Sequence, residues 1–145
     1  TEHVDRLFKQ SKGKLFWSKN SKLQVICRNH LLSDDIAFRF SDIKHPRYPV
    51  TVDSFYENLK KVALQEEIIP IYVDYETFGE HQKESSGIFS FFESLVNKII
   101  EKGEFEFELC KNISTDEKAP KIDVVDPISW ADSARDLSAW LSNSM

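Results

Sequence analysis

The sequence predicts an α/β chain with mainly parallel strand pairing, and three observations carry that expectation. An unbroken apolar run, "IIPIYV", occupies residues 68–73. A strictly alternating stretch, "EFEFELC", occupies residues 104–110. Two amphipathic helical patterns, over residues 52–66 and 88–102, precede them in turn. Strands alternating with helices pack as helices on a largely parallel sheet. Two or three strands are too few to close such a sheet. Residues 1–145 are therefore expected to form a single partial domain, and the opening Thr1 in place of Met fits that expectation.

Taken in order, residues 1–22 are Lys-rich, with "LFW" as the one apolar cluster, and read as a helix end followed by a loop through "SKNSK". "LQVIC", Leu23 to Cys27, is compact and β-branched between polar residues, which suits a short buried strand. Ser33 followed by Asp34 and Asp35 reads as a helix start, because acids in a first turn complement the macrodipole. Ile36, Ala37 and Phe40 would share its inner face, and "KHPRYPV" ends it at Pro46 and Pro49.

Thr51 opens the next helix, where Val52, Phe55, Leu59, Val62 and Ala63 recur at helical spacing. The run at 68–73 fits a strand buried on both faces, although Pro70 argues against a central place in a sheet. Ile88, Phe91, Phe92, Leu95, Val96 and Ile99 then form one stripe, stopped by Lys98, Lys102 and Gly103. The alternation at 104–110 puts Phe105, Phe107 and Leu109 on one face and three glutamates on the other, the mark of a half-buried strand. Residues 111–127 read as loop, with a chance sequon at Asn112. "SWADSARDLSAWLSN" reads as a helix capped by Ser129, with Ala134, Leu137 and Leu141 inward.

The totals exclude several classes. With 19 basic against 24 acidic residues, a net charge of −5, the chain has no electrostatic footprint for nucleic acid and no basic anchor for a membrane. No apolar stretch approaches the ~20 residues of a spanning helix. No signal-like start is seen, and a cytoplasmic setting is the expectation. Cys27 and Cys110 have no metal-ligand spacing and read as buried, reduced strand thiols.

The chemistry concentrates in "YVDYETFGEHQ", Tyr72 to Gln82. If the strand continues through Tyr75, Asp74 and Glu76 share a face roughly 7 Å apart. Like charges that close push one pKa up, and a carboxylic acid kept protonated can donate to a leaving group. Catalytic groups also gather at the carboxyl ends of parallel strands, where Asp74 would stand. The plainer reading of Asp-x-Glu is a solvated loop with capping acids. A metal set of Asp74, Glu76, Glu80 and His81 is chemically admissible, but its spacing matches no strong pattern. His30 could be a ligand or a loop residue bonding backbone, and His45 beside Pro46 reads as a surface turn. Trp17, Trp130 and Trp140 could each stack on a sugar. Trp140 reads as core, and Trp130, just ahead of a helix, is the best placed to face a cleft.

Three stretches together go further. "RNHLLSDDIAFRFS", "VDYETFGEHQ…GIFSFFESL" and "PISWADSARDLSAWLSN", in this order, resemble the later part of glycoside hydrolase family 57, in its α-amylase-like branch. The resemblance covers residues 25–143. It implies an incomplete fragment of a (β/α)7 barrel followed by a helical segment, acting on α-1,4-glucosidic bonds with retention. By the D-x-E-x-F-G motif, Asp74 would be the general acid/base. Glu76, Phe78 and Gly79 would shape the site, and Trp130 and Asp132 would line sugar subsites. The implied partners are an α-glucan or maltooligosaccharide and the N-terminal part of the same chain; no cofactor or metal is implied. Nothing in residues 1–22 resembles the family's nucleophilic Glu, so the second carboxyl of a retaining pair is expected outside this chain and the fragment alone is expected to be inactive. The alternatives are a barrel that binds glucan or serves as a scaffold without catalysis, a 4-α-glucanotransferase, and a metal-using deacetylase-like barrel. A partial barrel exposes strand edges, which makes self-association a hazard.

Overall fold

The computed structural model describes residues 15–114, 117–123 and 138–141. Their elements, in chain order, are β1 (Leu15–Ser18), β2 (Gln24–Ile26), α1 (His30–Ala37), α2 (Val52–Ala63), α3 (Ile88–Lys102), β3 (Lys121–Ile122) and α4 (Ser138–Leu141). The architecture is mixed α/β: a three-stranded sheet in the order β2-β1-β3 beside a cluster of three helices.

The sheet is mixed where parallel pairing was expected. β1 and β2 form an antiparallel hairpin, with Leu15 opposite Ile26 and Trp17 opposite Gln24. The turn closes with Ser18 N–H donating to Leu23 O at 2.8 Å. β3 lies parallel to β1, with Trp17 opposite Lys121. β1 replaces the helix end expected there, and β3 lies within the stretch read as loop. Both are short, and each contributes little to a periodicity pattern on its own. Phe16, Cys27 and Ile122 close a small core on this sheet. Burial pushes the Cys27 thiol up, as expected of a buried cysteine. Cys110, by contrast, is exposed. It is not a strand thiol, because the segment carrying it does not enter a sheet.

The helices follow local rules closely. Asn29, not Ser33, caps α1: its side chain accepts the Leu32 N–H at 3.2 Å. The helix thus begins ahead of the two acids, and Ser33 becomes a buried residue of its first turn. Thr51 caps α2 in a reciprocal box with Ser54. α3 ends on Gly103 at φ 63°, a left-handed stop in which Gly103 N–H donates to Ile99 O. Phe40, Phe55 and Phe91 meet where the three helices converge, with ring centroids 4.9 Å (Phe40–Phe91) and 5.8 Å (Phe55–Phe91) apart. Leu32, Ile36, Leu59, Ile88, Leu95 and Ile99 complete that core.

Neither long expected strand joins the sheet. Residues 68–73 are extended but form no ladder. Pro70 has no N–H to give, its carbonyl accepts from Asn29 N–H at 2.8 Å, and Tyr72 N–H goes to the Ser33 hydroxyl at 3.1 Å. The start of α1 therefore takes up backbone groups that a neighbouring strand would use. Residues 104–109 likewise lack a ladder. Phe105 packs edge-on against Tyr56 at 5.6 Å, but Phe107 and Leu109 stay exposed, because alternation buries a face only where a sheet has something behind it. In α4, Leu141 is exposed, against the inward reading; Ala134, Leu137 and the Ser129 cap lie outside the described residues. Among the described residues no helix is long and apolar enough to cross a membrane.

Candidate functional site

Along the extended segment, Ile69, Ile71 and Val73 face the helical core, while Tyr72 and Asp74 are exposed. Pro70 is buried as well, so the chain alternates only from Ile71 onward. Asp74 is its last extended residue, with φ −69° and ψ 147°, and makes no side-chain capping bond to the turn that follows. The chain then coils into a 3-10 turn, Tyr75–Thr77. Asp74 and Glu76 therefore do not share a strand face, because the period of two ends at Tyr75. Asp74 stands alone at the exit of the apolar segment, and Glu76 is exposed on the turn.

The turn is tightly knit. Thr77 N–H donates to Asp74 O at 3.0 Å and Phe78 N–H to Tyr75 O at 3.2 Å. Both Glu80 and His81 N–H donate to Glu76 O, and Gln82 N–H returns to Thr77 O at 2.9 Å. Gly79, at φ 102°, donates to Gln82 O. A side chain there would be strained, which accounts for the glycine. Thr77 is buried, and Phe78 turns inward onto Phe92 and Phe89, with centroids 5.1 and 6.2 Å away.

Two polar residues outside the motif hold this turn in place, and sequence reasoning missed both. Gln82 is 3% exposed. Its amide donates to Ala37 O at 3.0 Å and its carbonyl accepts from the Ser41 hydroxyl at 2.7 Å, tying the turn to the end of α1. Ser33 accepts from Tyr72 N–H and donates to Asn29 O at 2.8 Å, tying the approach segment to the start of α1. Arg28, paired with Asp34 at 2.7 Å, also reaches Tyr72 O at 3.4 Å. Nothing in the sequence marks Gln82, which lies among polar and charged residues, and Ser33 reads as a cap; what the sequence lacks is their distant partners. Gln82→Leu leaves Ala37 O and the Ser41 hydroxyl without partners. It should cost about 1–3 kcal/mol in denaturant unfolding. A loss below ~0.5 kcal/mol would show that the tether does not hold the turn.

A cavity of about 880 Å³ opens between the two extended segments. Val73 and Phe78, on either side of Asp74 in the chain, belong to its wall, as do Phe55, Leu95 and Phe105. Phe78 thus combines packing against Phe92 and Phe89 with a place on the cavity lining. Tyr72, near the same wall, has its hydroxyl pKa raised by burial and then by Cys110. Asp74, Glu76, Glu80 and His81 do not converge: among the described residues no group of three or more His, Cys, Asp or Glu side chains could hold a metal ion. His45 lies in a surface turn, its Nδ1 accepting from Arg47 N–H at 3.2 Å. Trp17 is in β1, His30 begins α1, and Trp130 and Asp132 lie outside the described residues.

Comparison with known proteins decides what this arrangement belongs to. The sequence model of Glycosyl hydrolase family 57 matches residues 1–126. The chain is a member of glycosyl hydrolase family 57. A curated protein of Methanocaldococcus jannaschii described as "Putative alpha-amylase" is 35% identical over 149 residues. That alignment covers 100% of this family 57 chain and 31% of the relative, so the chain spans about a third of that protein's length. No solved structure matches the chain. The D-x-E-x-F-G stretch of this family member, Asp74 to Gly79, is closed by backbone hydrogen bonds within residues 74–82.

Proposed function

We propose that the protein to which this chain belongs is a retaining α-glucan-active glycoside hydrolase, with Asp74 as its general acid/base. The supporting observation is a single one. In a family 57 chain, an exposed carboxylate sits where an apolar segment ends, at the start of a turn closed by backbone hydrogen bonds from Thr77 N–H to Gln82 N–H. Such a group is reachable by a glycosidic oxygen and is carried on an ordered backbone, which favours proton transfer at hydrogen-bond distance. Its first role is to protonate the departing oxygen; its second is to activate the water that releases the sugar.

The bond is α-1,4-glucosidic in this reading, and the framework is a (β/α)7 barrel of which this chain forms a part. Glu76 is exposed on the same turn and is placed to accept from sugar hydroxyls. Phe78 gives the site an apolar wall, and Trp130 and Asp132 line further subsites. The nucleophilic carboxyl comes from outside this chain, in keeping with its covering 31% of the relative. Free Cys27 and Cys110 suit a reducing, cytoplasmic setting.

The stereochemistry tests the reading. Proton NMR of a maltooligosaccharide digest by the full-length protein should show the α-anomer as the first product, with the β-anomer appearing only by mutarotation. A β-anomer formed first would replace the double displacement with a single inversion.

A further inference from the structure

We infer that Tyr75 is a sugar-binding platform, stacking the pyranose ring next to the bond that is cut; this deepens the assignment of Asp74 and rests on it. Tyr75 is 95% exposed, more than any other large apolar side chain among the described residues. Its position is fixed all the same. Its carbonyl accepts from Phe78 N–H, the carbonyl before it accepts from Thr77 N–H, and Thr77 is buried. The 3-10 turn divides its side chains into two sets: Thr77 and Phe78 go inward, Tyr75 and Glu76 outward. Phe78 has two ring neighbours, and no ring pair involving Tyr75 occurs among the described residues. An aromatic face on an ordered backbone, open to solvent and flanked by two carboxylates, matches the chemistry of a glucose residue. The C–H face of the sugar is apolar and slightly positive and suits the negative face of an aromatic ring, while its hydroxyls need acceptors at the edge. Because the turn is already ordered, binding does not have to order it.

The test uses the full-length protein and maltooligosaccharides. Tyr75→Ala should raise KM about tenfold with kcat within twofold and the thermal midpoint unchanged. Tyr75→Phe and Tyr75→Trp should restore KM, because the ring and not the hydroxyl carries the contact. Calorimetric titration of maltooligosaccharide into Asp74→Asn and into Asp74→Asn/Tyr75→Ala should show the same tenfold weakening. An unchanged KM would make Tyr75 an ordinary solvated residue and overturn the platform. A lowered thermal midpoint with both constants impaired would overturn it too, as a packing contact with the rest of the protein. If Asp74→Asn is inactive while Tyr75→Ala binds normally, the platform alone falls. If Asp74→Asn is active while Tyr75→Ala binds weakly, the platform stands and the acid assignment falls.

Discussion

Asp74→Asn in the full-length protein should lower kcat/KM on maltooligosaccharides about 10³-fold, within the range that a positioned acid/base supplies. In barrier terms that is about 4 kcal/mol. Folding should be untouched. The side chain is exposed and makes no capping bond, and Asn suits the residue ahead of a helical turn as well as Asp does. The loss should also depend on the leaving group. A glucoside that departs as a stable phenolate needs no proton, so its first step should be far less impaired than that of a maltooligosaccharide. Equal losses on both substrates would mean that Asp74 positions the sugar and does not protonate it. Wild-type rates on both would remove it from the mechanism.

Phe91→Ala should produce the largest loss of stability, about 3–5 kcal/mol. Phe91 is the ring that Phe40 and Phe55 both meet, and it anchors α3 to the stretch after α1 and to α2. Truncation removes both aromatic contacts and leaves a void that close-packed helices fill only in part. That is a large share of the 5–15 kcal/mol that holds a typical domain together. Phe91→Leu, which keeps most of the volume, should cost considerably less. Denaturant unfolding checks both through the midpoint at constant slope. A loss below about 1 kcal/mol for the alanine variant would show that the stability of these helices lies elsewhere.

The helices were legible in the sequence because their information is local. Thr51, the apolar spacing of Phe55 and Leu59, and Gly103 act within a turn or two of one another, and the structure uses each of them. The α1 start was misread because two capping candidates compete within five residues, and Asn29 wins by reaching Leu32 N–H. Strand pairing was not legible. Whether residues 68–73 form a ladder depends on what lies beside them, and the nearest backbone belongs to the start of α1. The alternation at 104–109 shows a capacity for two faces and says nothing of what covers them. At the site, the position of Asp74 behind an apolar run was readable. The 3-10 turn at Tyr75 was not, because period-two reasoning continues a strand until a breaker appears, and none stands before Gly79. Gln82 escaped notice and Ser33 was read only as a cap, because a buried polar side chain is explained only by its partner.

The double fastening of the Asp74 turn, through Tyr72 to Ser33 at one end of α1 and through Gln82 to Ala37 at the other, bears on any attempt to transplant it. Residues 72–82 are not a self-contained cassette. Grafted onto a scaffold whose adjacent helix lacks a hydroxyl at the first turn and an open carbonyl at the last, the loop would keep its motif letters and lose its aim. Chimaeras of this protein should therefore be cut ahead of Arg28 and beyond Gln82, so that helix and turn travel as one inherited block.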